Sequence, residues 1–226
     1  MQNVQFLCLA NSRKHSGRCV AGLRLDGLGW VRPVSTLPDG TLFANHYLLD
    51  DGAEPRLLDV VEVEVTAAQP EPHQPENWLL AQSRWRLVER LAPKDVLRRL
   101  SLAVIATPLL FGTESDRIDY STLLERPASS SLALVLPRGI RWQIRRSLRG
   151  GRQTRCTFHL GGQYYDLSVT DPEFEGRLVE LDMGVHPRDV AGISSADRIL
   201  LTISLGEPLD GICYKLVAAV LVLPGP

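Results

Sequence analysis

RWQIRRSLRGGRQTRCTFHLGGQYYDLSV, Arg141–Val169, alternates apolar and polar residues in three short runs separated by two Gly-Gly pairs. A period of two is that of a half-buried strand. In the first run Trp142, Ile144 and Leu148 take one face, and Arg141, Gln143, Arg145 and Arg149 the other. In the second run Cys156, Phe158 and Leu160 point one way, and Arg155, Thr157 and His159 the other. Opposed residues of an antiparallel pair share a face, so turn length sets the register. A two-residue turn at Gly161-Gly162 pairs Phe158 with Tyr165 and Cys156 with Leu167 inside. It pairs His159 with Tyr164 and Thr157 with Asp166 outside. The same turn at Gly150-Gly151 would set Arg145 against Cys156, mixing surface with core. A three-residue loop, Gly150-Gly151-Arg152, instead sets Ile144 opposite Phe158 and Trp142 opposite Leu160, and that loop or an equivalent bulge is expected. The stretch predicts a three-stranded meander with one core face and one basic face.

The basic face stands out from its surroundings. Between Pro127 and Tyr165 there is no Asp or Glu, while Arg138, Arg141, Arg145, Arg146, Arg149, Arg152 and Arg155 all fall there. The whole chain has net charge -1, so only this local clustering argues for an anionic partner. Cations along a sheet follow phosphates, and a ring such as Tyr164 stacks on a base.

Similar strands occupy both ends of the chain. VQFLCLA, RCVAGLRL, GWVRPVS and LLDVVEVEV are short, rich in Val and Leu, and separated by Gly, Pro, Asp and Ser. Val61, Val63 and Val65 oppose Glu62 and Glu64. TAAQPEPHQP then reads as an exposed connector. The middle is more helical: PKDVLRRLSLAV has Pro93 in a first turn and a stripe of Val96, Leu97 and Leu100. Strand signals return from Ser131 and end in DRILLTISL and CYKLVAAVLVL. The expected fold is mainly β: two small OB-like barrels with a mostly helical connecting segment. The barrels are assigned to residues 1–75 and 129–226, and the connector to 76–128.

Composition narrows the class further. The chain has 226 residues, 44% of them hydrophobic, enough for one large or two small cores. Four cysteines form no CxxC pair, which fits a reducing compartment. MQNVQFLCLA lacks a basic n-region, and no apolar stretch is long enough to span a bilayer, so a cytoplasmic location is expected. The five histidines are scattered, and no phosphate loop, GxGxxG, HExxH or GxSxG motif occurs, so no cofactor is expected.

SRKHSGRCVAG followed by GWVRPVS, with ISLGEPLDGICYKLVAAVLVL at the far end, resembles the dual OB domain family of bacterial proteins. The resemblance implies two OB-like barrels and, by analogy of fold, nucleic-acid or nucleotide binding. Within these motifs Ser12, Lys14 and Arg18 flank the first inter-strand loop, at the edge of an OB binding face. Arg32 precedes Pro33, which limits that strand to an edge or an end. Lys215 lies on an apolar face and needs a partner, for which Glu207 is the candidate. The expected anion-binding set is therefore Ser12, Lys14, Arg18, Arg32, Arg141, Arg145, Arg149, Tyr164 and Lys215. Two alternatives stand beside non-enzymatic binding. A metal-dependent nuclease would use Asp166, Asp171 and Glu173 near Lys215. A scaffold would recruit a protein or a second copy through exposed sheet edges.

Overall fold

In a computed structural model the described residues are 1–82, 84–105, 107–147 and 150–225, with side chains 97–99 left aside. The first half holds β1 (Gln2–Lys14), β2 (Gly17–Arg24), β3 (Trp30–Val34), α1 (Ala44–Tyr47), β4 (Asp59–Ala68), β5 (Asn77–Leu80) and β6 (Arg86–Arg90). The middle holds α2 (Pro93–Ser101), β7 (Val104–Ile105), β8 (Arg117–Asp119) and α3 (Tyr120–Glu125). The rest is β9 (Leu132–Val135), β10 (Arg138–Arg146), β11 (Arg152–Leu160), β12 (Gln163–Val169), α4 (Pro172–Arg177), β13 (Gly184–Pro187), β14 (Arg198–Leu209) and β15 (Ile212–Leu223).

The first sheet runs β1-β2-β3-β5-β4, and β4 returns to pair with β1. That closes a five-stranded barrel of the OB type. Val61, Val63 and Val65 of β4 fill its interior with Phe6, Cys8 and Trp85, while Glu62 and Glu64 stay partly exposed. β3 is not an edge strand, as Pro33 led one to expect: it lies between β2 and β5, pairing with β2 only over Trp30 and Val31, so that Pro33 lies beyond that ladder and opposite Trp78 of β5. The second sheet contains the order β10-β11-β12-β15-β14 and repeats the first barrel strand for strand. The parallel pair β12–β15 matches the parallel pair β3–β5. Here the ring stays open: β14 takes β9, and β10 takes β13.

The unbroken apolar runs follow from a layer shared by the two halves. In β1, Phe6 and Cys8 enter the first barrel, while Leu7 and Leu9 face outward onto Leu132, Leu134, Ala218 and Leu221 of the second half. A strand buried on both sides has no polar alternate. β15 does the same from the other side, with Val217 in the second barrel and Ala218 and Leu221 in the shared layer.

Two expectations are corrected. The stretch 76–128 is not a mostly helical connector. It supplies β5 to the first barrel, β6 to the edge of β4, and β7 and β8 to the second sheet, leaving two short helices. NWLL forms β5 because Trp78 and Leu80 pack on the first core. α2 does begin with Pro93 in its first turn and buries Val96 and Leu100 in the shared layer. The Gly150 hairpin keeps its expected faces but slides its pairs. Trp142 opposes Cys156 and Ile144 opposes Thr154, and Ser147 N donates to Gly151 O at 2.7 Å to close the loop. Gly150 has φ 82, the left-handed value wanted at the end of a three-residue loop rather than its start. Leu148 and Arg149 lie outside the described residues. The Gly161-Gly162 turn gives the four expected pairs.

A candidate nucleic-acid interface on the second barrel

The outer face of β10, β11 and β12 is laid out in rows. Arg141, Thr157 and Asp166 form one row; Arg138, His159 and Tyr164 form the next. Beneath them Trp142, Ile144, Cys156, Phe158 and Tyr165 are buried, so the rows stand on a packed core. The Tyr165 hydroxyl donates to Pro108 O at 2.7 Å and accepts from Leu110 N at 3.0 Å, tying the chain before β8 to this sheet.

Arg138 reaches the outer face through a bulge that alternation hides. Counted in twos from Arg141, it would point inward. The register shifts by one residue between Arg138 and Arg141, where Gly139 has φ 64. A glycine in the left-handed region is the usual way to insert such a residue. The only signal in the sequence is Gly139 itself.

Charge on this face is unevenly neutralised. Arg155 is buried and lies along the sheet, donating to Asp166 Oδ1 at 2.5 Å and Ser168 Oγ at 2.9 Å. Arg145 is exposed, bonded to Gln153 at 3.3 Å and 3.8 Å from Asp166. Arg138 and Arg141 are exposed and have no ion pair among the described residues. Tyr164 is 55% exposed, its ring centroid 5.5 Å from that of His159. Of four guanidinium groups on this face, the one carboxylate Asp166 therefore reaches two, Arg155 and Arg145, beside an open aromatic pair.

The remaining residues of the expected set are brought together elsewhere or engaged within the protein. Ser12 Oγ donates to Cys19 O at 3.3 Å. Lys14 bonds the Glu207 carboxylate and Asp39 O, and its neighbour Arg13 pairs with Glu175 at 3.0 Å. Arg18 pairs with Glu54 at 3.2 Å. Arg32 is buried, and its guanidinium donates to Ser131 Oγ and Ser204 Oγ. Lys215 is not the partner of Glu207: Lys14 takes that carboxylate, and the Lys215 ammonium donates to Thr113 O at 2.8 Å and Oγ1 at 2.7 Å. Burial pushes its pKa down to about 8, with Asp116 pulling the other way. The carboxylates of the nuclease reading have separate partners. Asp166 holds Arg155, and Glu173 pairs with Arg177 at 2.8 Å. Asp171 caps α4 by accepting from Phe174 N at 3.1 Å and also accepts from Val220 N at 2.9 Å. Burial raises its pKa against those two amides.

One closed barrel and one open sheet of the same strand order, fused through a common apolar layer, define a tandem OB protein. The chain belongs to the dual OB-containing domain family, whose model matches residues 4–220. Among solved structures it is similar to a murine DNA binding protein bound with double-stranded DNA. That likeness has 11% identity, a TM-score of 0.34 and coverage of 100% of both chains. It is also similar to the tetrameric p202 HIN2, with 8% identity, a TM-score of 0.30, and coverage of 98% of this chain and 91% of that one. At those scores neither likeness carries a fold or a ligand across. No curated protein matches the sequence. Among the described residues no helix is long and apolar enough to cross a membrane.

Proposed function

We propose that the outer face of β10–β12 binds single-stranded nucleic acid without chemical conversion. Arg138, Arg141 and Arg145 follow the backbone phosphates, and a base stacks on Tyr164 beside His159. The observation that carries this reading is the pair Arg138 and Arg141, exposed and unpaired next to a 55%-exposed tyrosine ring on a rigid sheet. Guanidinium groups without carboxylate partners leave a positive potential that anions fill. An open ring favours an unstacked base over one held in a duplex. Strands two and three of an OB barrel are the usual face for such ligands, and here they are β11 and β12.

The test is fluorescence anisotropy with short labelled single-stranded and duplex DNA and RNA across a salt series, with free nucleotide as competitor. Single strands should bind with log affinity falling against log salt by roughly 0.7 per neutralised phosphate. The Arg141→Ala/Arg145→Ala double variant should flatten that slope and weaken binding. No binding at low salt, or binding that the double variant leaves unchanged, would overturn the reading.

A further inference from the structure

Three segments distant in sequence meet at one point on the seam between the barrels. The β1–β2 tip brings His15, the loop after β3 brings Asp39, and β14 brings Glu207. His15 Nε2 lies 3.5 Å from Asp39 Oδ2 and 3.9 Å from Glu207 Oε2, and the three ligand atoms all fall within 4.8 Å of one another. Ligands held at about 2.0–2.2 Å from one ion at tetrahedral angles stand roughly 3.3–3.6 Å apart. Small side-chain rotations therefore close this set.

The two carboxylates are already oriented. Lys14 holds Glu207 through Oε1, which leaves Oε2 toward His15. Thr41 donates its amide to Asp39 Oδ1 at 3.0 Å and its hydroxyl to Oδ2 at 2.6 Å. Outer contacts of this kind fix ligand geometry in metal sites. A fourth polar residue lies nearby. His73 is 6% exposed, and its Nδ1 is buried with no hydrogen-bond partner. It lines a cleft of about 360 Å³ together with Asp39, Glu207 and Glu71. Burial, then the charges of Arg32 and Lys14, lower its pKa to about 4, so it is a neutral imidazole at pH 7. Its Nδ1 is thus a buried imidazole nitrogen with no hydrogen-bond partner among the described residues, in a residue that lines the same cleft as three carboxylates.

We infer that His15, Asp39 and Glu207 form a divalent-metal site bridging the two barrels, suited to Zn²⁺ or Mn²⁺. One imidazole with two carboxylates matches these ions better than Mg²⁺, which prefers all-oxygen shells rich in water. The three acids that line the cleft outnumber the two nearby cations, Lys14 and Arg32, so a cation is favoured there. The site is independent of the nucleic-acid face, and a metal ion would tie the first barrel to the second.

The experiment is isothermal titration of the full chain with ZnCl₂ and with MnCl₂, MgCl₂ serving as control, alongside thermal melts. The wild type should bind one Zn²⁺ or Mn²⁺ per chain, and the melt should rise with the ion. His15→Ala removes an exposed side chain at a hairpin tip and should melt like the wild type without metal. It should bind at least tenfold more weakly and lose the metal-dependent rise. Asp39→Asn should weaken binding likewise, and Cys19→Ser should leave it intact. Equal binding by wild type and His15→Ala, loss of binding with Cys19→Ser alone, or no binding below millimolar ion would overturn the site.

Discussion

Arg32 Nη1 donates to Ser131 Oγ at 2.9 Å, joining β3 of the first barrel to the residue that precedes β9. Nη2 donates to Ser204 Oγ at 3.1 Å on β14. The Glu76 carboxylate, 3.9 Å from the guanidinium, accepts from Ser130 Oγ, Ser131 N and Ser131 Oγ. Arg32 thus fastens the two halves where water does not reach. Removing one partner of a buried charge network leaves the other uncompensated, at about 3–5 kcal/mol. Arg32→Ala should lose about that much stability by urea unfolding, and nucleic-acid affinity of the folded fraction should stay within about twofold. Lost affinity at unchanged stability would instead make Arg32 a ligand-binding residue.

Tyr164→Ala tests the aromatic part of the face. The ring is half-exposed and stands on β12 beside His159, so its loss should change stability by less than about 0.5 kcal/mol. Binding of single strands should weaken by about 1–3 kcal/mol, with similar losses for every base composition, because stacking is sequence-tolerant. The salt slope should not move, since no phosphate contact is removed. Tyr164→Phe should bind like the wild type. A changed slope in Tyr164→Ala would mean that the ring positions arginines rather than bases.

Asp166→Asn should move stability and affinity in opposite directions. Asp166 is the acceptor for buried Arg155 and lies 3.8 Å from Arg145. Neutralising it weakens the support of a buried guanidinium, which costs stability. The same change removes the negative charge on the face proposed to hold phosphates, so affinity should rise and its salt dependence steepen. Urea unfolding and anisotropy on one preparation read both. Affinity that falls along with stability would place the nucleic acid elsewhere.

The β11–β12 hairpin was legible because two glycines at Gly161-Gly162 admit one turn that keeps Phe158 and Tyr165 on the same side. Strand identity in β1 and β15 was legible too, from runs of apolar residues. What those runs face was not, because burial on both sides erases the alternation that would say which residue enters which core. The anion-binding reading of Lys14, Arg18 and Arg32 rests on their place in the motifs at the first inter-strand loop and before Pro33. Their partners Glu207, Glu54 and Glu76 come from other segments, and only packing brings them near. The same distance hid His15, Asp39 and Glu207 as a group. Arg138 was hidden by a local cause, a bulge of one residue at Gly139.

Lys215 gives the pH dependence a definite sign. It is 2% exposed, its ammonium bonded to Thr113 and 5.6 Å from the centre of the Tyr165 ring. Burial lowers its pKa to about 8 in the folded chain; unfolded, a lysine titrates near ~10.4. Between those values the unfolded chain holds a proton that the folded chain has shed, so this residue adds stability as pH rises, by up to about 3 kcal/mol across the window. Below pH 8 both states are protonated and the contribution is flat. The thiols of Cys8, Cys156 and Cys213, raised chiefly by burial, act in the opposite sense, because unfolded thiols ionise first. Comparison with Lys215→Met at each pH cancels them. The difference in unfolding free energy should shift toward the wild type between pH 8 and 10 and stay constant between pH 6 and 7.5. A difference that is flat throughout would mean that the ammonium keeps an ordinary pKa and reaches water.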